Sequence, residues 1–386
     1  MNQILFISIL NESAFHGSRV AVSLYALELG ASQFTIGILV ALFALCPVLL
    51  SIAIGRFADR VSPRLPVVLG TAGMAVALLL PPLFSSLTAL YAASFLMGLA
   101  HQLYLIPLEA VIGVVDGAKN RARNYALITM GFSVASFSGP LVTGFSIDYL
   151  GHRQAFLVLT ALTVMPLLML AIRSTFLPKT VQRSPTARHG SVLDLWRLRS
   201  LRTTLIAGSI ALSAWDLFNF YLPIYGHSIG LSASVIGSIL AVVSISSFIV
   251  RGGIPFLVKK LTEAEILAYS IFAAAVAFAL FPFLSNPYAL AAIAFLIGLG
   301  VGCATPIAMS FIYVLTPPGR IAESMGLRKT VNHATHLLIP LIFGSVGTAF
   351  GFVTVFASNS IILAAAGFLV RKAGLRNSDP GPKQAP

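Results

Sequence analysis

The sequence predicts an all-α polytopic membrane protein with twelve transmembrane helices in two pseudo-symmetric six-helix bundles. Three observations carry this expectation: long uncharged apolar blocks, basic residues gathered on one side of them, and an internal repeat at a 200-residue offset.

Of the 386 residues, 57% are hydrophobic and only 10% are charged. A soluble globular chain carries roughly 25% charged residues. The stretches 29–55 and 65–108 contain no Asp, Glu, Lys or Arg, and a helix needs about 20 apolar residues to cross a bilayer. Core helices of a soluble protein would be shorter and amphipathic, and barrel strands would alternate apolar with polar residues. The first residues, MNQILFISIL, have no basic start and no small-residue cleavage site, so they read as the beginning of a retained helix. Cys46 and Cys303 sit far apart in separate apolar blocks and offer neither a disulfide framework nor metal-ligand spacing.

In chain order the spans fall at about 4–27, 34–55, 66–84, 88–114, 123–147 and 155–173, then 203–226, 233–257, 265–284, 288–315, 322–347 and 352–371. Spans two and three flank the charged run GRFADRVSPR at 55–64. Basic residues 119–123 separate spans four and five, and LGHR at 150–153 separates five and six. Lys259 and Lys260 lie between spans eight and nine. LSNPY and LTPPGR break the chain before spans ten and eleven. Pro107, Pro140, Pro223 and Pro306 fall inside spans, where a membrane helix tolerates them. The organisation is therefore an N-terminal bundle 1–173, a cytoplasmic linker 174–202, a C-terminal bundle 203–372 and a cytoplasmic tail 373–386. Within the linker, PKTVQRSPTARHG reads as a flexible tether and LDLWRLRS as a short amphipathic helix.

Of 25 Lys and Arg residues, 20 lie on one side of these spans, one (Arg153) on the other, and four (Arg19, Arg251, Arg328 and Lys329) within them. That bias makes the basic side cytoplasmic, with both termini there, and points to the cytoplasmic (inner) membrane. The net charge of +13 is scattered over these loops, which argues against nucleic-acid binding.

The two halves match at one offset. LYALELGASQFTIG (24–37) aligns with IYGHSIGLSASVIG (224–237), sharing Tyr25, Gly30, Ser32, Ile36 and Gly37 with their counterparts. ALYAASFLMGL (89–99) aligns with ALAAIAFLIGL (289–299) at seven of eleven positions. GPLVTGFSIDYLGHRQAF (139–156) aligns with IPLIFGSVGTAFGFVTVF (339–356), keeping Pro, Leu, Gly, Gly and Phe in register. Parallel six-helix repeats pack about a central axis, with the substrate site near the bilayer midplane.

The run GRFADRVSPR resembles the loop signature of the major facilitator superfamily, at Gly55, Asp59, Arg60, Ser62 and Arg64. The resemblance extends over nearly the whole chain through the twelve spans, the six-plus-six division and the segment GLRKTVNHATHLLIPLIFG. It implies alternating access, with Gly55, Asp59, Arg60, Arg64 and Glu109 as gating residues, Asp59 seated against the positive start of a helix from the other half and Arg60 held by an acid such as Glu109. Gly131, Gly139, Pro140 and Gly144 form part of the glycine pattern of antiporters, while Ser94 stands where an arginine is expected.

Ionisable residues at membrane depth are costly and usually face a polar interior. Span one carries Glu12, His16 and Arg19 on one helical face. Arg19 either neutralises an acid or binds an anion, and Glu12 exchanges a proton. At the repeat offset Asp216 and Asn219 in span seven correspond to His16 and Arg19. Glu12 and Asp216 are the candidate proton carriers. His16, Arg19, His101, Gln102, Trp215, Asn219, Arg328, Asn332, His333 and His336 are the candidate cavity residues, with packing as the competing role for His101. The histidines of span eleven lack a third ligand, so no metal and no cofactor are expected.

No phosphate-binding loop of the GxxxxGK[ST] type supports ATP drive, and no nucleophile constellation supports an enzyme. The expected function is secondary transport in the lipid bilayer: proton-coupled export of a small-molecule substrate by a monomer. Symport or exchange of an organic anion is the alternative, and a non-transporting receptor is disfavoured by the short loops. Single cysteines at Ser85 and Ser184, on a cysteine-free background, are expected to react with impermeant reagents from opposite faces. Labelling from the same face would overturn the twelve-span topology.

Overall fold

The computed structural model describes residues 1–61, 63–112, 121–172, 192–316 and 321–377. Among these, all regular structure is helical. The first half contains α1 (Asn2–Glu28), α2 (Gln33–Arg60), α3 (Arg64–Leu83), α4 (Leu87–Ile112), α5 (Arg121–Leu150) and α6 (His152–Ile172). The six-residue α7 (Val192–Arg197) precedes α8 (Arg199–Ser228), α9 (Ala233–Leu257), α10 (Glu263–Leu280), α11 (Pro287–Leu315) and α12 (Ile321–Asn377). α12 is interrupted at Gly351, with φ 78° and ψ 179°, and so supplies two helical arms. Helices satisfy their own backbone hydrogen bonds, which hydrocarbon requires of any spanning segment.

Nine segments of the described residues are long and apolar enough to cross a membrane, the last of them, Leu327–Arg371, covering both arms of α12. α1 is not among the nine. Asn11, Glu12, Ser13, His16 and Arg19 lower its hydropathy, and the same polarity makes it the helix of interest below.

The structure corrects the limits of two elements. The charged run at 55–64 was expected as a loop, but α2 continues through Arg60 and α3 begins at Arg64. The end of an apolar run marks where the hydrocarbon stops, not where the helix stops. The last helix likewise runs on to Asn377, past the expected end of its span. Gly55, Asp59 and Arg60 thus belong to the last turns of α2, and the placement of their side chains lies outside the described residues.

The turns opposite the basic loops repeat at the 200-residue offset. Gly30 and Gly230 have φ of 76° and 78°. The Ala31 amide donates to the Ala26 carbonyl and the Leu231 amide to the Gly226 carbonyl, while Gly30 and Gly230 donate to Leu27 and His227. This is a Schellman ending, which needs a left-handed residue after the helix. Gly151 and Gly351, also at positive φ, make the second matched pair of turns.

By internal contacts the chain divides into two units. One comprises Met1–Ser184, Asn219–Ser244 and His336–Ala349; the other comprises Pro185–Phe218, Ile245–Thr335 and Phe350–Pro386. In the first unit, α3 packs on α4 and α6, α1 on α5 and α6, and α2 on α4. Ile4, Ile7, Val67, Tyr104, Leu108, Val111, Ile112, Ile128 and Leu170 form a buried apolar cluster at the end nearer the basic loops. In the second unit, Leu195 of α7 is buried with Leu201, Leu205 and Ile312, and Trp196 and Leu327 pack against them. These contacts tie the short linker helix to α8, α11 and α12.

The α3–α4 contact depends on Gly70. A Cβ there would lie 2.6 Å from the Ala100 carbonyl oxygen and 2.8 Å from Tyr104 Cα, both backbone atoms. Overpacking of this kind costs roughly 1–3 kcal/mol. Gly70→Leu is expected to lower the thermal unfolding midpoint in detergent well beyond Gly73→Ala, which meets only the Ala100 side chain closely. Equal midpoints for the two variants would contradict this packing.

Candidate functional site

α1 is a polar helix whose hydroxyls are largely satisfied by itself. Ser8, Ser13, Ser18 and Ser23 donate to the carbonyls of Ile4, Ile9, Phe15 and Arg19 at 2.6–2.9 Å. Asn11 and Glu12 reach across to neighbouring helices. Asn11 Nδ2 donates to Thr71 Oγ1 of α3 at 3.1 Å. Glu12 Oε1 lies 2.9 Å from His101 Nε2 of α4. Glu12 is 5% exposed and His101 6%. Two ionisable groups at membrane depth thus partner each other, as the cost of isolating either requires.

His101 is held from its face as well as its edge. The Phe15 ring stacks on it with centroids 3.8 Å apart and planes 15° apart. Phe15 in turn meets Phe43 of α2 edge-on at 5.8 Å and His16 at 5.9 Å. Tyr104, one turn further along α4, is buried beside His101 with its ring tilted at 6.3 Å. α1 also approaches α5 closely: Gly17 and Gly139 lie at that contact, where Ser13 Oγ and Ser138 Oγ hydrogen-bond at 2.8 Å.

Of the residues expected at a site, the structure joins Glu12 to His101, a pairing that sequence reasoning did not identify. His16 and Arg19 are half-buried on the same helix. Gln102 is buried with His101. Asp216 of α8 is 1% exposed, between half-buried Trp215 and nearby Asn219. On α12, Arg328, Asn332, His333 and His336 are half-buried and Lys329 is exposed. Arg328 Nε is buried without a hydrogen-bond partner. Glu109 is half-buried and Arg64 exposed. No group of three or more His, Cys, Asp or Glu side chains among the described residues is arranged to hold a metal.

A second arrangement, missed in the sequence, closes the helix ends opposite the basic loops. Asp148 of α5 accepts the Ala233 and Ser234 amides of α9 at 3.0 and 2.8 Å. At the repeat offset, Thr348 Oγ1 of α12 accepts the Phe34 amide of α2 at 3.0 Å. The helices cross tightly in both places, with Gly37 against the Pro340 carbonyl and Gly237 against the Pro140 carbonyl. Tyr221 Oη donates to the Phe343 carbonyl at 2.6 Å and reaches Gln33 Oε1 at 3.1 Å. Nearby, His152 Nδ1 lies 2.8 Å from Glu28 Oε2. The signal in the sequence was the repeat itself: all four crossing residues lie in segments that match at the offset. All of these contacts fall within the first unit.

The sequence profile of the Major Facilitator Superfamily matches residues 4–340. The tetracycline resistance protein, class B, of Escherichia coli is 22% identical over 324 residues, covering 80% of this chain and 78% of that protein. Among solved structures, a POT family transporter in complex with 5-aminolevulinic acid aligns with a TM-score of 0.81 at 13% identity, covering 98% of this chain and 96% of the other. The nucleoside transporter NupG aligns with a TM-score of 0.77 at 17% identity, covering 97% and 99%. At these identities the solved structures attest to a shared fold.

Removing a helix cap costs about 1 kcal/mol, roughly a fivefold change in a two-state population. Asp148→Ala is therefore expected to raise the population in which α5 and α9 separate by about that factor. Spin labels at the exposed positions Tyr149 and His227 would read it as growth of a longer distance. An unchanged distance distribution would show that the cap does not hold this end closed.

Proposed function

Given that the chain belongs to the Major Facilitator Superfamily, and so is a multi-pass membrane transporter rather than an enzyme, we propose that it exports a small organic compound in exchange for protons. The observation that carries this reading is the Glu12–His101 pair, buried at 2.9 Å between α1 and α4. A carboxylate that gains and loses a proton in a nonpolar setting changes the cost of its own burial. It thereby couples proton binding to whichever conformation reburies it. Asp216, equally buried on α8, is the second carrier in this proposal. Similarity to a tetracycline resistance protein supports the outward direction.

In this proposal the protein works as a monomer in the cytoplasmic membrane with both termini inside, and the basic loops support that orientation. The bundles 1–173 and 203–372 alternate access between the two faces, with 174–202 and 373–386 on the cytoplasmic side. Gly55, Asp59, Arg60 and Arg64, with Glu109, set the balance between the states. The half-buried His16, Arg19, Trp215, Asn219, Arg328, Asn332, His333 and His336 contribute to substrate recognition.

A second reading, symport or exchange of an organic anion, is favoured by one observation: Arg328 keeps a buried guanidinium nitrogen without a hydrogen-bond partner. An anionic substrate would supply the missing acceptor.

Purified protein in liposomes with an imposed pH gradient, screened against cationic, neutral and carboxylate compounds, tests both readings. Substrate movement accompanied by counter-directed proton flux is expected. Asp216→Asn should abolish gradient-driven movement while sparing substrate exchange, and Glu12→Gln should weaken both. If both variants, singly and together, keep wild-type proton coupling, the carrier assignment fails. Proton flux in the same direction as a carboxylate would select the second reading.

A further inference from the structure

The Phe15–His101 stack has no part in closing the helix ends or in filling the apolar cluster. We propose that Phe15 is the positioning residue of the proton site: it fixes the His101 ring edge-on to Glu12. The proposal rests on the reading of Glu12–His101 as the proton-exchanging pair.

Geometry supplies the argument. Glu12 and Phe15 are three residues apart on α1 and so project from one face of the helix. α1 thus presents a carboxylate to the edge of the imidazole, at 2.9 Å. It presents an aromatic face to the plane of the same imidazole, at 3.8 Å and 15°. Phe43 of α2 braces Phe15 edge-on at 5.8 Å. An imidazole can turn about its bond to Cβ and lose Glu12. A ring stacked flat on it obstructs that turn.

Few other charges bear on the pair. On α1, His16 and Arg19 follow Glu12 at one and two turns; on α4, Tyr104 and Glu109 follow His101 at about one and two turns. α2 contributes the Cys46 thiol, which contacts the Phe95 carbonyl, and its charges Arg56, Asp59 and Arg60 lie near its far end. α3 has Arg64 at its start, α5 has Arg121, Arg123 and Asp148 near its ends, and α6 has His152 and Arg153 at its start.

The test uses full-length protein in lipid nanodiscs with ¹⁵N-labelled histidine, read by NMR across a pH series without substrate. The His101 signals are identified by their loss in His101→Asn. Phe15→Leu, which keeps an apolar side chain but removes the aromatic face, is expected to lower the population in which the His101 ring is hydrogen-bonded to Glu12 roughly fivefold, read as loss of its downfield ring N–H signal. Phe15→Tyr should restore that signal to within about twofold of wild type by returning the face. Glu12→Gln should lower it further than Phe15→Leu. A response to Glu12→Gln with none to Phe15→Leu overturns the role of Phe15 and leaves the proton site standing. No response to Glu12→Gln overturns the proton site itself. Wild-type protein supplies a check that no variant can spoil by misfolding: a His101 ring proton without the upfield ring-current displacement of a face-on neighbour, at any pH, overturns the stack.

Discussion

Backbone-to-backbone contact between helices governs the end of the protein opposite its basic loops. Gly37 lies under the carbonyl of Pro340, and Gly237 under that of Pro140. A side chain at either glycine would hold the helices apart. Once they touch, the start of α9 comes within reach of Asp148 and the start of α2 within reach of Thr348. Tyr221 can then bond across to Gln33 and Phe343. Membrane helices gain little from burying apolar surface against one another, because lipid is as apolar as leucine. Small residues and hydrogen bonds must therefore supply the attraction, and both are concentrated at these crossings.

The same scarcity of partners shapes α1. Its serines bond back to their own helix, leaving Asn11 and Glu12 to be satisfied by α3 and α4. Glu12 and His101 each remove the other's isolation. Such a pair is weak evidence of stability, since desolvating two charged groups offsets most of their attraction. An ionisable pair buried at that cost argues for work that an apolar pair would not do.

Much of the fold was legible in the sequence, because a bilayer leaves few choices. Uncharged runs located the helices, and the 200-residue repeat located matched turns such as those at Gly30 and Gly230. What misled was the charged run at 55–64: arginine and aspartate are tolerated in a helix once it leaves the hydrocarbon, so α2 passes through Arg60 without a turn. The site was half legible. Glu12 stood out as an acid in an apolar span, but its visible partner by helical spacing was Arg19. His101 lies 89 residues away, and nothing in the periodicity of α1 or α4 reveals which faces meet. Phe15 was hidden among ordinary apolar residues. The partners of Asp148 are backbone amides, which every residue but proline possesses, so no residue type advertises them.

The 200-residue symmetry of the crossings is broken at one pair of positions. Where one crossing places the carboxylate of Asp148, accepting two amides, the other places the hydroxyl of Thr348, accepting one. Hydrogen bonds to an ionised acceptor are about twice as strong as those between neutral groups. The capping bonds at the two crossings are therefore unequal, and the α2–α12 crossing leans instead on the Tyr221 hydroxyl, which bonds to Phe343 and Gln33.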